Sequence, residues 1–428
     1  MILKTKNGTN NISEKGDGME KEIKKSSVFI KSFIFLSICF TYGTTYRGSI
    51  YNLLFLGTAL LTIMECVSVA TSFKISKNVI KIFIVTSLPI VINFFAGLQI
   101  DIFDRPRHNN FLILSMVIIY SINLFVKYLF KNTSEIKYVF LTSAIIWTSI
   151  NWMAFILSKF KIYFFYTGSF SGIFINRNDF AVSSVVLLCL LYITLDGFYN
   201  EKSKLIVKVT ICSLLLLILL SLSMKGLIGI IFIFVSYRLI IKRNSLDKKI
   251  LFLYGGLAGI IVIFVIGNML NSSLILRVEM YINSFLGNID SYENSNERIS
   301  LINQGIELAK QNMLYGVGMD NSRYFLSVMY ASGREFGKYS HNNYLEVLLN
   351  GGIITFLCYY LPIFKIYIVS IFKIKQKNAF KFLFILLSMK LFFDSASVTY
   401  TNASVVFIYI FSIAIYVNYK KRGDLSFE

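Results

Sequence analysis

Apolar runs of about 16 to 22 residues alternate with polar connections along the whole chain, at approximately 28–46, 49–69, 79–98, 111–130, 138–157, 180–199, 205–222, 226–241, 250–267, 344–364, 379–394 and 402–419. Each run is close to the roughly 20 residues that a helix needs to cross a hydrocarbon layer. None alternates with the period of two expected of a barrel strand. Inside lipid a backbone has no water to bond, so a run of this length satisfies itself as a helix. The pattern predicts an all-α polytopic membrane protein of about twelve transmembrane helices. Its parts are a polar tail over 1–27, helices one to nine over 28–267, a long connection over 268–343, helices ten to twelve over 344–419, and a tail over 420–428.

Composition agrees with that reading. Of 428 residues, 55% are hydrophobic and 15% charged, with a mean hydropathy of +0.64; ordinary soluble domains carry about 25% charged residues. A formal charge of +20 would suggest a nucleic-acid partner in a soluble protein, but its placement excludes one. Twenty-eight basic residues fall in the N-terminal tail, in alternate connections and after the last run, beside nine acids, so +19 of the +20 lies on one face. By the positive-inside rule that face is cytoplasmic, and both termini are expected there. The first 27 residues show no small-residue cleavage site after a short apolar core, so the first run is expected to be a retained anchor.

The five cysteines, Cys39, Cys66, Cys189, Cys212 and Cys358, all lie in apolar runs and form no disulfide framework. His108 and His341 are the only histidines, too few for a Cys/His metal site. Neither a metal nor any other cofactor is expected. No repeat relates the two halves, which argues against a transporter of inverted-repeat type.

The connection Asn268 to Asn343, about 76 residues, is nearly neutral and is expected outside the cytoplasm, folded over the membrane. A shorter outer connection, Ser158 to Asp179, is rich in phenylalanine and tyrosine and reads as interfacial or re-entrant. In the long connection, Asn294 and Glu297 have the spacing of a capping box, followed by apolar residues at Ile299, Ile302, Ile306, Ala309 and Met313. A helix starting near residue 295 would carry Arg298 in its first turn, where free N–H groups and the positive dipole end make an anion site. The alternative is a surface arginine paired with Glu293 or Glu297. His341 falls where the connection re-enters the membrane, either as a general base or phosphate donor or as a structural histidine among Asn342, Asn343 and Tyr344.

Lys390 and Asp394, four apart, are expected to pair on one helix face. Glu65 and Asp196 lie near the boundaries of apolar runs, and Arg105, Arg107 and His108 form a basic cluster expected in a solvated turn beside Pro106.

Several of these segments resemble the Wzy/O-antigen ligase superfamily of bacterial membrane polymerases and ligases. They are the Arg298 helix, the Gly316-Val317-Gly318 turn, and His341-Asn342-Asn343-Tyr344 followed by Gly351-Gly352-Ile353. Upstream, Gly168-Ser169-Phe170-Ser171-Gly172-Ile173-Phe174-Ile175-Asn176-Arg177-Asn178-Asp179-Phe180-Ala181 is similar to the family's Gly-x-Phe-x-Asn-x-Asn-x-(Phe/Tyr)-Ala element. Leu222-Ser223-Met224-Lys225-Gly226 sits where relatives often carry Ser-Arg-Gly. Here Lys225 keeps the charge and loses the bidentate fork of arginine. The resemblance covers roughly residues 165 to 365.

The resemblance implies a GT-C-like fold in the bacterial inner membrane and a metal-independent, inverting glycosyltransferase. It would move a growing glycan from undecaprenyl pyrophosphate to the non-reducing end of a lipid-linked repeat unit, on the extracytoplasmic face, in O-antigen or capsule synthesis. Arg177, Lys225 and Arg298 would bind the pyrophosphate. His341, with Arg298, would be catalytic, and Asp320 is a further candidate acid or base that the family pattern does not supply. The implied partners are the undecaprenyl-pyrophosphate-linked oligosaccharide donor and acceptor, the bilayer and a chain-length regulator. The alternatives are an O-antigen ligase with a lipid A-core acceptor and, from another class, a lipid-linked oligosaccharide flippase.

Overall fold

The computed structural model describes residues 25–40, 77–97, 105–130, 133–160, 170–174, 176–195, 201–236, 293–319, 321–329, 335–374, 378–400 and 402–422. In chain order these form α1 (Lys25–Phe40), α2 (Lys77–Gly97), α3 (Arg105–Leu129), α4 (Thr133–Lys159), α5 (Arg177–Thr194), α6 (Glu201–Leu220) and α7 (Met224–Ser236). Then come α8 (Glu293–Gln311), the single turn α9 (Ser322–Phe325), the strands β1 (Ser327–Met329) and β2 (Glu335–Gly337), α10 (Asn343–Lys373), α11 (Asn378–Ala396) and α12 (Ala403–Arg422). The strands pair antiparallel, with Val328 opposite Phe336.

Ten of the twelve expected spans overlap these helices; the runs at 49–69 and 250–267 lie outside the described residues. Among the described residues, five helical stretches are long and apolar enough to cross a membrane on their own: Lys77–Gly97, Glu135–Leu157, Arg177–Thr194, Glu201–Leu220 and Asn343–Lys373. Their outward faces are apolar too, with Leu205, Ile206 and Val209 exposed on α6 and Ile80, Ile84 and Phe95 on α2. In water such a surface would be an aggregation patch; it suits a polytopic membrane protein.

Two boundaries differ from expectation. α3 begins at Arg105, so the cluster around Pro106 opens a helix instead of forming a turn. Proline fits there because the first helical N–H groups lack partners in any case. α8 begins at Glu293, which puts Asn294 inside the helix and Arg298 in its second turn.

The core is built around α5 and α12, which are apolar nearly all round and buried nearly all round. Lipid is as apolar as the side chains, so burial supplies little drive for helices to associate, and close packing must supply it. Small residues allow that. A β-carbon on Gly226 of α7 would lie 2.9 Å from Cβ of Ala181 on α5, and one on Gly229 would lie 2.8 Å from Val185. Aromatic rings fill the other side, with Phe407 of α12 at 4.8 Å from Phe35 of α1 and 6.5 Å from Phe140 of α4. At one end of that contact Lys31 pairs with Glu135, both buried, and Lys31 Nζ sits 4.4 Å from the Tyr128 ring centroid.

Candidate active site

The start of α10 is held by a buried carboxylate. Asn342 caps the helix, its side chain accepting from the Leu345 N–H at 3.1 Å. One turn in, Glu346 is fully buried and accepts from the Ser340 N–H at 3.1 Å, the Ser340 hydroxyl at 2.7 Å and the Ser322 hydroxyl of α9. His341, half-buried, is clamped between Ser340 and Asn342 with a φ of 56°. A non-glycine residue in that left-handed region costs about 1–2 kcal/mol, and the bonds on either side offset it. Backbone held this way against its preference is common where a side chain must point in one direction.

Arg177 and Lys225 come together at the starts of two packed helices. Asn176 caps α5 by accepting from the Asn178 N–H at 2.9 Å, so Arg177 is the first helical residue. The turn before α7 bends through Leu222 at a φ of 52°, which brings the Ser223 hydroxyl within 2.8 Å of Asn178 Oδ1. Lys225 is then in the first turn of α7. Asp179 complements the α5 dipole, but each cation at a helix N-terminus opposes it by about 0.3–1 kcal/mol. The Ser223–Asn178 bond thus sets the first turns of α5 and α7, with Arg177, Asp179 and Lys225, side by side.

A glycine-rich crossing fixes the loop after α8. α10 is broken at Gly351 and Gly352, the latter at φ 64° and ψ −165°, a conformation essentially confined to glycine. Met313–Met319 threads the break: Val317 N–H donates to Leu349 O at 2.7 Å, Gly318 N–H to Asn350 O at 2.8 Å, and Ile353 N–H to Met313 O at 2.8 Å. Met319 N–H reaches Asn93 O on α2 at 3.1 Å. A β-carbon on Gly318 would lie 2.1 Å from Gly97 Cα, and one on Gly352 would lie 2.2 Å from Leu314 O. The two glycine pairs read from the sequence are therefore the two halves of one backbone contact.

Behind the α10 start lies a buried polar network. Lys390 Nζ donates to Asp394 Oδ2 at 2.6 Å, with both side chains fully buried. Asp394 also accepts from the Tyr360 hydroxyl at 3.1 Å and from the Thr399 hydroxyl. Lys390 Nζ faces Tyr359, Tyr360 and Tyr409 at 4.8, 5.7 and 5.8 Å from their ring centroids. Asn343 donates to the Tyr360 hydroxyl at 2.8 Å and accepts from the N–H groups of Thr399 and Tyr400 at 2.8 and 2.9 Å. The pairing expected from the i, i+4 spacing is present; the tyrosines and Asn343 around it carry no signal in that spacing.

These contacts put the sequence-derived candidates at one end of the bundle. Asn343 ties the start of α10 to the α11–α12 turn, the Ser183 and Ser404 hydroxyls of α5 and α12 stand 3.4 Å apart, and Ser223 joins α7 to α5. His341, Arg177 and Lys225 thus share an end. Arg298 stands about two turns before Gly305, where α8 rests on Leu345 and Leu349 of α10. Asp320 lies outside the described residues, as do Glu65 and Asp196.

Residues 209–360 match the family model described as O-antigen ligase. That segment, about a third of the chain, is what is similar to the family. No curated protein matches. The matched segment runs from α6 to Tyr360 and takes in Lys225, Arg298, His341 and both halves of the glycine crossing. Members of the superfamily are glycosyltransferase-like enzymes acting on lipid-linked polysaccharides in membranes.

Sequence reading missed Glu346, which stands in plain view as a lone carboxylate among Leu345, Val347 and Leu348. Carboxylates are rare inside apolar helices and expensive there unless paired; that alone marks the position. It also missed Ser223 as the link between two motifs, a contact spanning 45 residues.

Proposed function

We propose that the chain is a polysaccharide polymerase of the bacterial inner membrane, with twelve spans, both termini cytoplasmic and its site on the outer face. A hydroxyl at the non-reducing end of a lipid-linked repeat unit attacks the anomeric carbon of the growing glycan. The bond from that carbon to undecaprenyl pyrophosphate breaks, its electron pair leaves with the diphosphate, and the hydroxyl proton passes to His341. Attack from the face opposite the leaving group inverts the anomeric centre. A retained configuration in the product linkage would exclude this single displacement.

The observation that carries the reading is the adjacency of Arg177 and Lys225 at two helix N-termini, joined through Asn178 and Ser223. The departing diphosphate gains negative charge as the bond breaks, and a cation about 4 Å away is worth about 4 kcal/mol at an effective dielectric near 20. Pyrophosphate is a good leaving group, so the site needs positive charge there and orientation of the acceptor hydroxyl, with no obligatory general acid. Arg298 is the third cation assigned to the donor, and Asp320 a reserve acid or base.

The description of the matched family favours a second reading, an O-antigen ligase, which shares the donor half of the site and differs in its acceptor. Deleting the gene in its host and resolving the surface glycan on a gel separates the two. A single repeat unit with the ladder gone identifies the polymerase. Polymer retained on undecaprenyl pyrophosphate and missing from the core identifies the ligase. Unpolymerised units trapped inside would make the chain a flippase. Polymer yield should fall about 100-fold or more in Lys225→Ala and less in Lys225→Arg, the scale of losing one preorganised charge contact. An unchanged yield in Arg298→Ala or Lys225→Ala at normal protein levels would refute the pyrophosphate assignment.

A further inference from the structure

Two packed helices, α2 and α10, are each interrupted where they meet. Pro89 stands inside α2 and has no N–H to give, so the carbonyl of Val85 loses its helical donor. α10 leaves helical geometry at Gly351 and Gly352. A threonine within a helix ordinarily returns its hydroxyl to a carbonyl three or four residues back. For Thr355 those carbonyls belong to Gly352 and Gly351, and the break takes both out of helical register.

Between these interruptions lies a small cavity of about 20 Å³, with Pro89, Asn93, Thr355, Tyr359 and Tyr409 in its wall. Asn93 Oδ1, Thr355 Oγ1 and the Tyr359 hydroxyl are buried there without a hydrogen-bond partner. Asn93, Thr355 and Tyr359 are 3%, 0% and 7% exposed. A β-carbon on Gly351 would lie 1.8 Å from Asn93 Oδ1 and 2.1 Å from Thr355 Oγ1, so the two oxygens are within about 4 Å of each other. Oxygens left unbonded inside a membrane are costly, because no bulk water reaches them.

We infer that the cavity is the binding site of one ordered water, which bridges α2 to the second half of α10. The site lies beyond the transferase reading and does not depend on it. Its volume exceeds the roughly 10–15 Å³ that a buried water needs, and three oxygens fall within the two to four polar partners that hold one. The chemistry matches as well: an amide oxygen only accepts, which a water hydrogen satisfies, and the two hydroxyls donate to the water oxygen. A metal cation fits less well. No carboxylate lines the cavity among the described residues, and the Lys390 ammonium already stands 4.8 Å from the Tyr359 ring centroid. The bridge joins two networks. The Asn93 carbonyl accepts from the Met319 N–H at the glycine crossing, and Tyr359 belongs to the tyrosine cluster around Lys390.

The test images the full-length protein in nanodiscs by cryo-electron microscopy, at a resolution that shows ordered waters. One peak is expected at about 2.6–3.2 Å from Asn93 Oδ1, Thr355 Oγ1 and the Tyr359 hydroxyl. Thr355→Ser should keep it. Asn93→Leu with Thr355→Val should lose it, and so should Thr355→Val with Tyr359→Phe, a second double variant that preserves both shapes and serves if the first does not elute as a single species. The thermal midpoint of the wild type should be the same in sodium, potassium and choline chloride at equal ionic strength. No peak in a wild-type map that shows other internal waters, or a peak that survives in the double variants, would overturn the assignment. Stabilisation specific to sodium, lost in Thr355→Val, would overturn it too and give the site to a cation.

Discussion

The Lys390–Asp394 pair gives the sharpest energetic prediction. Both ends are fully buried, and removing one partner of such a pair costs about 3–5 kcal/mol, because the other is left as an uncompensated charge. The two ends are not equivalent. After Lys390→Met, Asp394 still accepts from the Tyr360 and Thr399 hydroxyls, each bond to a charged acceptor worth about 1.5–3 kcal/mol, so the loss should sit near 3 kcal/mol. After Asp394→Leu, Lys390 keeps only the tyrosine faces among its described contacts, worth about 2 kcal/mol when desolvated, and both hydroxyls lose their acceptor. That loss should approach 5 kcal/mol. In the double variant Lys390→Met with Asp394→Leu no charge remains, and the cost should reduce to the two hydroxyls, about 2–4 kcal/mol together. The double should thus be no less stable than Asp394→Leu alone. Thermal unfolding of the purified variants in one detergent, at one scan rate, ranks the four proteins. A double variant whose shift equals the sum of the singles would refute the coupling, and with it the claim that this pair fastens Asn343 and the α10 start through Tyr360.

Glu346→Ala should lower stability by about 2–4 kcal/mol, since it strands the Ser340 N–H and two hydroxyls. Glu346→Gln, which keeps an acceptor, should cost about 1–2 kcal/mol and retain more of the glycan ladder; equal ladders in the two would deny Glu346 its part in holding His341. Gly318→Ala combines left-handed strain of about 1–2 kcal/mol with a backbone obstacle at Gly97, for a total near 2–5 kcal/mol. Gly305→Ala meets only side-chain carbons, of Leu345 and Leu349, and should cost less, about 1–2 kcal/mol, on the same thermal scan. Ser223→Ala should cost about 1 kcal/mol of stability while reducing polymer yield about tenfold, with Ser223→Thr partly restored; a wild-type ladder in Ser223→Ala would show that the α5 and α7 mouths need no such tie.

What could be read beforehand divides along physical lines. Lipid demands long apolar helices whatever surrounds them, so α2, α4, α6 and α10 stand close to where hydropathy alone puts them. Lys390 and Asp394 were legible as a pair because a helix turns every 3.6 residues. Contacts between distant segments were not. Nothing local says that Gly316 and Gly351 are partners across one crossing, although paired glycines in both places hinted at close backbone approach. The start of α8 was misplaced by a cap pattern at Asn294 and Glu297 that the helix absorbs. Glu346 was overlooked because helical periodicity speaks to which face is buried, not to which buried group organises its neighbours.

The crossing at Gly316–Gly318 and Gly351–Gly352 is made almost wholly of main chain. Its hydrogen bonds join N–H to C=O, and its only demand on side chains is that four be absent. The segment after α8 is therefore fastened by a clasp made of main chain. Leu314 and the exposed positions of α8 can be exchanged without loosening the attachment. Exposed positions of α8 and α9 can therefore vary while the attachment to the scaffold stays as it is.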